Sequence, residues 1–259
     1  MNTFTAPDFS LGGKLALITG STQGLGLVIA KAYAASGAGV IINGRNAARV
    51  AGVVADFAEH GHRAYAYVQD IGQLAEQEAT FNELCHRVGI PDIVVNNVGI
   101  RIRTSLAEAS LADIVELINV DLIAAVQLSK LAAAAMVAKH SKGRLITLTS
   151  IAGELARPGD AIYPIAKQGL SGLIRALAVE YGHYGITSNG IAPGTFATES
   201  NTALANDPVK GPVVVGRNPL GRWAQPLEIA GAAVFLASAS ASYVNGHIIV
   251  VDGGFSVTF

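Results

Sequence analysis

Short apolar runs alternate along this chain with longer stretches whose apolar side chains recur every three or four positions, and glycine, proline or asparagine marks most of the joins. Residues 14–19, 39–43, 64–68 and 91–96 are centred on short apolar runs, the signature of strands covered on both faces of a parallel sheet. Between them, 27–36, 47–60 and 74–88 carry helical spacing. A long, largely apolar helical region follows at 110–139, then a strand at 144–149. A helix at 161–181 displays Ile162, Ile165, Leu170, Leu173, Ile174 and Leu177 at helical spacing. A sixth strand at 185–192, a helix at 226–237 and a last strand at 247–251 close the series, with 199–220 left irregular. The pattern predicts an α/β fold in which a doubly wound parallel sheet of about seven strands carries helices on both faces. Without a linker, repeat or low-complexity segment, 1–259 reads as one domain, and 190–225 as a substrate-covering region within it.

Composition narrows the setting. Hydrophobic residues make up 51% of the chain and charged ones 14%, so much of the surface is expected to be covered by other protein. A net charge of -1 gives no electrostatic reason to expect nucleic acid or an anionic membrane. The single cysteine, Cys85, cannot form an internal disulfide. Residues 1–12 lack the basic start and apolar core of a secretion signal, so a cytoplasmic protein is expected. Residues 229–251 are long and uncharged, but their polar middle, 238–247, predicts a buried helix, a turn and a strand instead of a membrane span. No histidine or cysteine spacing suits a metal site.

Three stretches offer chemistry. Gly20-Ser21-Thr22-Gln23-Gly24-Leu25-Gly26 lies between the first strand and first helix, where glycines admit a pyrophosphate and the helix N-terminus stabilises its charge. About 20 residues further on, where NAD-binding folds place an acid on the ribose 2′-hydroxyl, the chain has Asn43-Gly44-Arg45; an arginine there pairs with a 2′-phosphate, so NADP(H) is expected in preference to NAD(H). Tyr163 and Lys167 sit one helical turn apart on one face. A cation beside a phenol favours the phenolate, which equips a tyrosine to exchange protons during alcohol and ketone interconversion. Ser150 closes the strand at 144–149, placing its hydroxyl at a carboxyl end, where open α/β sheets bind ligands.

The spacing Thr-Gly-x-x-x-Gly-x-Gly, Asn96-Asn97-Val98-Gly99, Asn119, Ser150, Tyr163-x-x-x-Lys167, Pro193-Gly194 and Asp252-Gly253-Gly254 occur in the order found in the short-chain dehydrogenase/reductase family, which nearly the whole chain resembles. The resemblance implies a Rossmann-type fold with Tyr163 as general acid/base, Lys167 assisting it and bonding the nicotinamide ribose, Ser150 polarising the substrate oxygen, and Asn119 distorting its helix to hold a relay water. It also implies cofactor contacts from the glycine loop, from Asp70 and Ile71 on the adenine side, from Asn97 and Gly99, and from Pro193, Gly194, Phe196 and Thr198 around the nicotinamide. Asp70 has a second reading, as a helix cap near Gly72.

Within the family, residues 99–103, 154–159, 190–199, 219–223 and 244–247 are similar to members that interconvert gluconate and 5-ketogluconate. Arg101, Arg103, Glu154 and Arg157 suit a small hydroxylated anion, since arginine pairs bidentately with carboxylate and glutamate accepts from hydroxyls; each equally suits a solvated loop or an interface. Thr195 departs from the bulky tyrosine common in those members. The resemblance implies a small hydroxy or keto substrate, with a 3-oxoacyl-carrier reductase as the competing activity. It also implies a homotetramer packed through the two long helices, with Ala124, Ala125, Leu128, Leu131, Ala132–Ala135 and Leu170–Ala178 supplying the apolar surface.

Overall fold

The computed structural model describes residues 6–259, so the expectation drawn from residues 1–12 lies partly outside it. Seven parallel strands form one sheet in the order β3-β2-β1-β4-β5-β6-β7. They are β1 (Leu15–Ile18), β2 (Gly39–Gly44), β3 (Ala64–Val68), β4 (Ile93–Asn96), β5 (Arg144–Leu148), β6 (Thr187–Pro193) and β7 (Ile248–Val251). The connecting helices are α1 (Gly24–Ala35), α2 (Ala47–Glu59), α3 (Leu74–Val88), α4 (Leu111–Ile118), α5 (Ala124–Ala138) and α6 (Ile162–Tyr181). Beyond β6 come the short α7 (Thr202–Ala205) and α8 (Lys210–Val214), then α9 (Ala230–Ala237).

The uniformly apolar strands are explained by burial on both faces. Ala16, Ile18, Val40, Ile42, Ile93 and Val95 pack to one side with Ile29 and Tyr33 of α1 and Leu236 of α9. Alternate residues Leu17, Ile41, Val94 and Leu145 pack to the other with Phe81 of α3 and Leu128 of α5. Each Val, Leu, Ile or Phe side chain removed from water in this way stabilises the fold by roughly 1.5–3 kcal/mol. Tyr33 fastens α1 to α9 by donating its hydroxyl to the Ala233 carbonyl at 3.1 Å.

Two predicted elements differ. The region at 110–139 is not a continuous α-helix: a capping box of Ser110 and Asp113 starts α4, and a π-helical turn, Asn119–Ile123, separates it from α5. The irregular stretch at 199–220 contains α7 and α8. Residues 226–251 form a 3-10 turn (Pro226–Ile229), α9, a second turn and β7, as the polar middle of that stretch predicts. By length and composition alone, the helical run Leu111–Ala138 is apolar enough to cross a membrane; Leu117, Ala124, Leu128, Ala132 and Met136 within it are core residues.

That burial also removes several residues from the expected interface. Ala124, Ala125, Leu128, Ala132, Ala133, Leu170, Ile174, Leu177 and Ala178 are buried in the chain's own core, whereas Ala134 and Ala176 are exposed, and the large exposed apolar side chains on these helices are Leu111, Val115, Ile123, Val126, Ile165 and Val179.

Because β1 continues to β2 on one side while β4 lies on its other side, a crevice opens at the carboxyl ends of β1 and β4. The loops after β1, β4, β5 and β6 converge there.

Candidate active site

Two cavities lie near Tyr163: it lines the larger, and Pro164 and Arg101, the latter 4.5 Å from its ring centroid, line the smaller. The larger, about 720 Å³, is lined by Gly20, Thr22, Gln23, Gly24 and Leu25 after β1, by Asn43, Arg45 and Arg49, by Asp70 and Ile71, by Asn97 and Gly99, and by Asn119, Tyr163 and Thr198. The smaller, about 270 Å³, is lined by Ser150, Pro164, Gly194, Phe196, Trp223 and the arginines 101, 103, 157 and 217.

The loop after β1 is held by its neighbours. Thr19 Oγ1 accepts from the backbone amides of Asn97 and Val98, and Asn97 Nδ2 donates to the Thr19 carbonyl at 2.8 Å. A Cβ on Gly26 would stand 2.5 Å from both Asn97 Nδ2 and the Gly20 carbonyl oxygen, so only glycine lets α1 approach β4 this closely. The helix begins at Gly24, earlier than the spacing predicts, which aims its free amides into the larger cavity. One already binds an anion: Gly24 N donates to Glu199 Oε2 at 3.0 Å. Free amides at a helix start can hold a phosphate in the same way, and Arg45 and Arg49 line the same groove, so its residues could hold a dinucleotide.

Several expected cofactor contacts are used internally. Ser21 is fully buried, donates to the Ile18 carbonyl and accepts from Asn43 N. Asn43 accepts from Gly20 N and donates to the Tyr67 and Gln69 carbonyls, tying β1, β2 and β3 together. Gly26 packs against Asn97, and Pro193 ends β6. Asp70 does not cap α3, whose cap position is Gln73; it accepts from Gly72 N at 3.0 Å and pairs with Arg45 at 3.7 Å. Arg49, which donates to Gln23 Oε1 at 2.7 Å, was not anticipated. Its only sequence signal is its place one turn after Arg45.

Beside the larger cavity, α6 carries Tyr163 and Lys167 on one face, the Lys167 ammonium 5.3 Å from the phenol ring centroid. Ser150 follows β5 in an extended conformation, and its Oγ accepts from Ala152 N at 3.1 Å. Asn119 opens the helix distortion that the resemblance implies, and a second polar residue stands beside Lys167. Asn119 turns away and donates to the Gly72 carbonyl at 3.0 Å, whereas Asp121, two residues on, lies 3.2 Å from Lys167 Nζ. Burial raises the Asp121 carboxyl above its usual range, against the opposing pull of Lys167 and the Ile100 amide.

The smaller cavity holds Arg101, Arg103 and Arg157 as expected, while Glu154 lies outside it, in a separate crevice with Ser171 and Ser256. Asp160, Arg217 and Trp223 were missed. Asp160 is buried and accepts from both Arg101 and Arg157 Nε, the latter at 3.3 Å. Its Oδ1 has no hydrogen-bond partner among the described residues. Burial, then repulsion from Arg101 and Arg157, holds the Arg103 guanidinium below its usual range despite Asp160.

A family model described as enoyl-(acyl carrier protein) reductase matches residues 20–256. The chain belongs to the short-chain dehydrogenase/reductase family. As a member it is an oxidoreductase. It is 38% identical over 256 residues to gluconate 5-dehydrogenase of Gluconobacter oxydans, covering 97% of this chain and 98% of that one. It is 36% identical over 253 residues to 2-dehydro-3-deoxy-D-gluconate 5-dehydrogenase of Formosa agariphila, covering 96% and 95%. A gluconate 5-dehydrogenase from Burkholderia cenocepacia, solved with NADP and tartrate, superposes with a TM-score of 0.93 at 38% identity, covering 97% of this chain and 98% of that one.

Proposed function

We propose that this dehydrogenase/reductase interconverts a secondary hydroxyl and a ketone on a small sugar acid of the gluconate/5-ketogluconate type, using NADP(H). The observation that carries the reading is the smaller cavity, where four arginines face one acid, Asp160, beside Ser150, and one of them, Arg101, reaches the Tyr163 ring. Such an excess of fixed cations in a partly enclosed space favours an anionic substrate, and Asp160 holds two of the guanidiniums in place for it.

In the reductive direction the cofactor supplies the hydride to the carbonyl carbon. Tyr163 gives its proton to the carbonyl oxygen, Ser150 Oγ donates a hydrogen bond to that oxygen, and Lys167 stabilises the phenolate left behind. Oxidation reverses each transfer. Gly20, Gln23, Gly24, Leu25, Ile71, Asn97, Gly99 and Thr198 would line the cofactor, with Arg45 and Arg49 toward its 2′-phosphate. Gly194 and Phe196, which line the substrate cavity, would separate nicotinamide from substrate.

NADPH oxidation measured with 5-ketogluconate, other keto acids and an acetoacetyl thioester tests the reading. Turnover of the sugar acids in preference to the thioester is expected; preference for the thioester, or no turnover of any keto acid, overturns it. Tyr163→Phe should abolish turnover and leave NADPH binding nearly intact. The exposed apolar positions Val115, Ile123, Val126, Ile165 and Val179 support assembly through α4, α5 and α6, to a homotetramer that light scattering would detect. A cytoplasmic location, where the lone Cys85 thiol stays reduced, completes the reading.

A further inference from the structure

A π-helical turn adds one residue to a helix and swings neighbouring side chains out of their usual register, often at functional sites. Here the turn Asn119–Ile123 sends two polar side chains in different directions. Asn119 goes to Gly72, at the edge of the larger cavity, while Asp121 goes inward. Asp121 Oδ1 accepts from Ile100 N at 2.6 Å, and Oδ2 lies 3.2 Å from Lys167 Nζ, where it makes an ion pair without an aligned hydrogen bond. The pair is closed off from water, with side-chain exposures of 4% for Lys167 and 0% for Asp121. A Cβ on Gly99 would stand 2.9 Å from Asp121 Oδ2 and 3.0 Å from Lys167 Nζ, so the backbone after β4 roofs the two charges and glycine makes room for them.

The groups facing this pair are few. From α6 come Lys167 itself and the Tyr163 ring; from the loop after β4 come the Ile100 amide and the Arg101 guanidinium, which lies 4.5 Å from the Tyr163 ring centroid on the cavity side. Lys167 is thus the buried cation nearest the phenol, and Asp121 is its counter-ion. At low effective dielectric, an anion this close cancels a large part of the field that the ammonium exerts a few ångströms away.

We infer that Asp121 is a positioning residue for the reaction: its buried carboxylate fixes the Lys167 ammonium against Tyr163 and offsets part of its charge, so that the Asp121–Lys167 pair sets the pH range in which Tyr163 exchanges protons. The inference deepens the proposed function and rests on the roles given there to Tyr163 and Lys167. It assigns the lysine a charged partner in addition to the water-mediated link through Asn119 that the family motif implies.

Asp121→Asn keeps the shape and the acceptor for the Ile100 amide while deleting the charge. The pH profile of kcat in the oxidative direction is expected to move to lower pH by about one unit, because the unopposed ammonium favours the phenolate more strongly. The Kd for NADPH should change by less than about threefold, since the deleted charge borders the lysine and not the phosphate contacts. A purely structural residue would lower kcat or Tm without moving the profile. A profile that superimposes on that of the unaltered protein, or moves to higher pH, overturns the inference. If Asp121→Asn does not fold, Asp121→Ser carries out the same charge deletion with a hydroxyl in place of the acid.

A second readout needs no substrate. The tyrosinate absorbance of the free protein, with Tyr163→Phe as the blank, should appear at lower pH in Asp121→Asn blanked with Asp121→Asn/Tyr163→Phe. An unmoved absorbance overturns the role of Asp121 even if sugar acids are turned over. A moved absorbance without turnover of any keto acid supports it and overturns the proposed substrate instead.

Discussion

The Arg101 guanidinium lies 4.5 Å from the centroid of the Tyr163 ring while its tip is paired with the buried carboxylate of Asp160. One side chain therefore joins the proposed proton-exchanging phenol to the proposed anion site. A guanidinium over an aromatic face is stabilised by the ring quadrupole, and its remaining donors stay free for a ligand carboxylate. Arg101→Ala should lower kcat/KM for keto acids about 10- to 100-fold, the cost of a charge-assisted hydrogen bond, with much less effect on uncharged ketones. Steady-state kinetics on a matched acid and amide check this; equal losses on both would remove Arg101 from substrate binding.

Arg45 and Arg49 concern the cofactor. Both line the far end of the larger cavity, and Arg45 is largely exposed, so a phosphate can reach it without desolvating it. The double variant Arg45→Ala/Arg49→Ala should raise KM for NADPH about 10- to 100-fold and leave KM for NADH within about threefold. A parallel change in both would show that these side chains do not read the 2′-phosphate.

Glu199 occupies the anion position at the start of α1 through its bond from Gly24 N. A carboxylate there opposes an incoming pyrophosphate by competition and by charge. Glu199→Gln should bind NADPH several-fold more tightly, since an amide competes with a phosphate less well than a carboxylate does. Isothermal titration reads the change, and weaker binding would mean that Glu199 assists the cofactor.

Arg222 and Glu228 predict a pH effect on stability. The Arg222 guanidinium bonds both Glu228 oxygens at 2.7 Å, and this bond first, then the Gln225 amide, holds the Glu228 carboxyl down to about 2 from 4.5. Because the folded value lies below the unfolded one, the contribution is complete above pH 4.5 and is lost as pH falls through about 2. The pair is partly exposed and screened, so the effect is small. Glu228→Gln should lower Tm slightly at neutral pH and converge with the unaltered protein in acid; a constant difference at every pH would exclude the carboxylate as its source.

The strands and most helices were legible because burial on both sheet faces leaves a direct trace, uninterrupted apolar runs such as 15–18 and 40–42. The glycine loop, Ser150, Tyr163 and Lys167 were legible because their spacing places them on particular turns and strand ends. Asp121 was not. It lies in an apolar helical stretch two residues from the asparagine that the motif singled out, and only the extra residue of the π-helical turn points the acid, and not the amide, at Lys167. Asp160 was missed for a similar reason, as one acid in a polar loop whose partner Arg101 lies far away in sequence. Apolar richness in α5 and α6 likewise could not distinguish core from surface: Leu128 and Ile174 face the sheet, Val126 and Val179 face outward.

The sequence by itself determined the sheet, its helices and the helical turn that brings a phenol and an ammonium together, because these follow from periodicity and short-range spacing. Only the tertiary structure decided which charges stand against that pair, since an ion pair between π-helical turn and α6, or between the loops holding Arg101 and Asp160, depends on where distant segments meet in space. Long-range electrostatics is set by packing, and packing has no period along the chain.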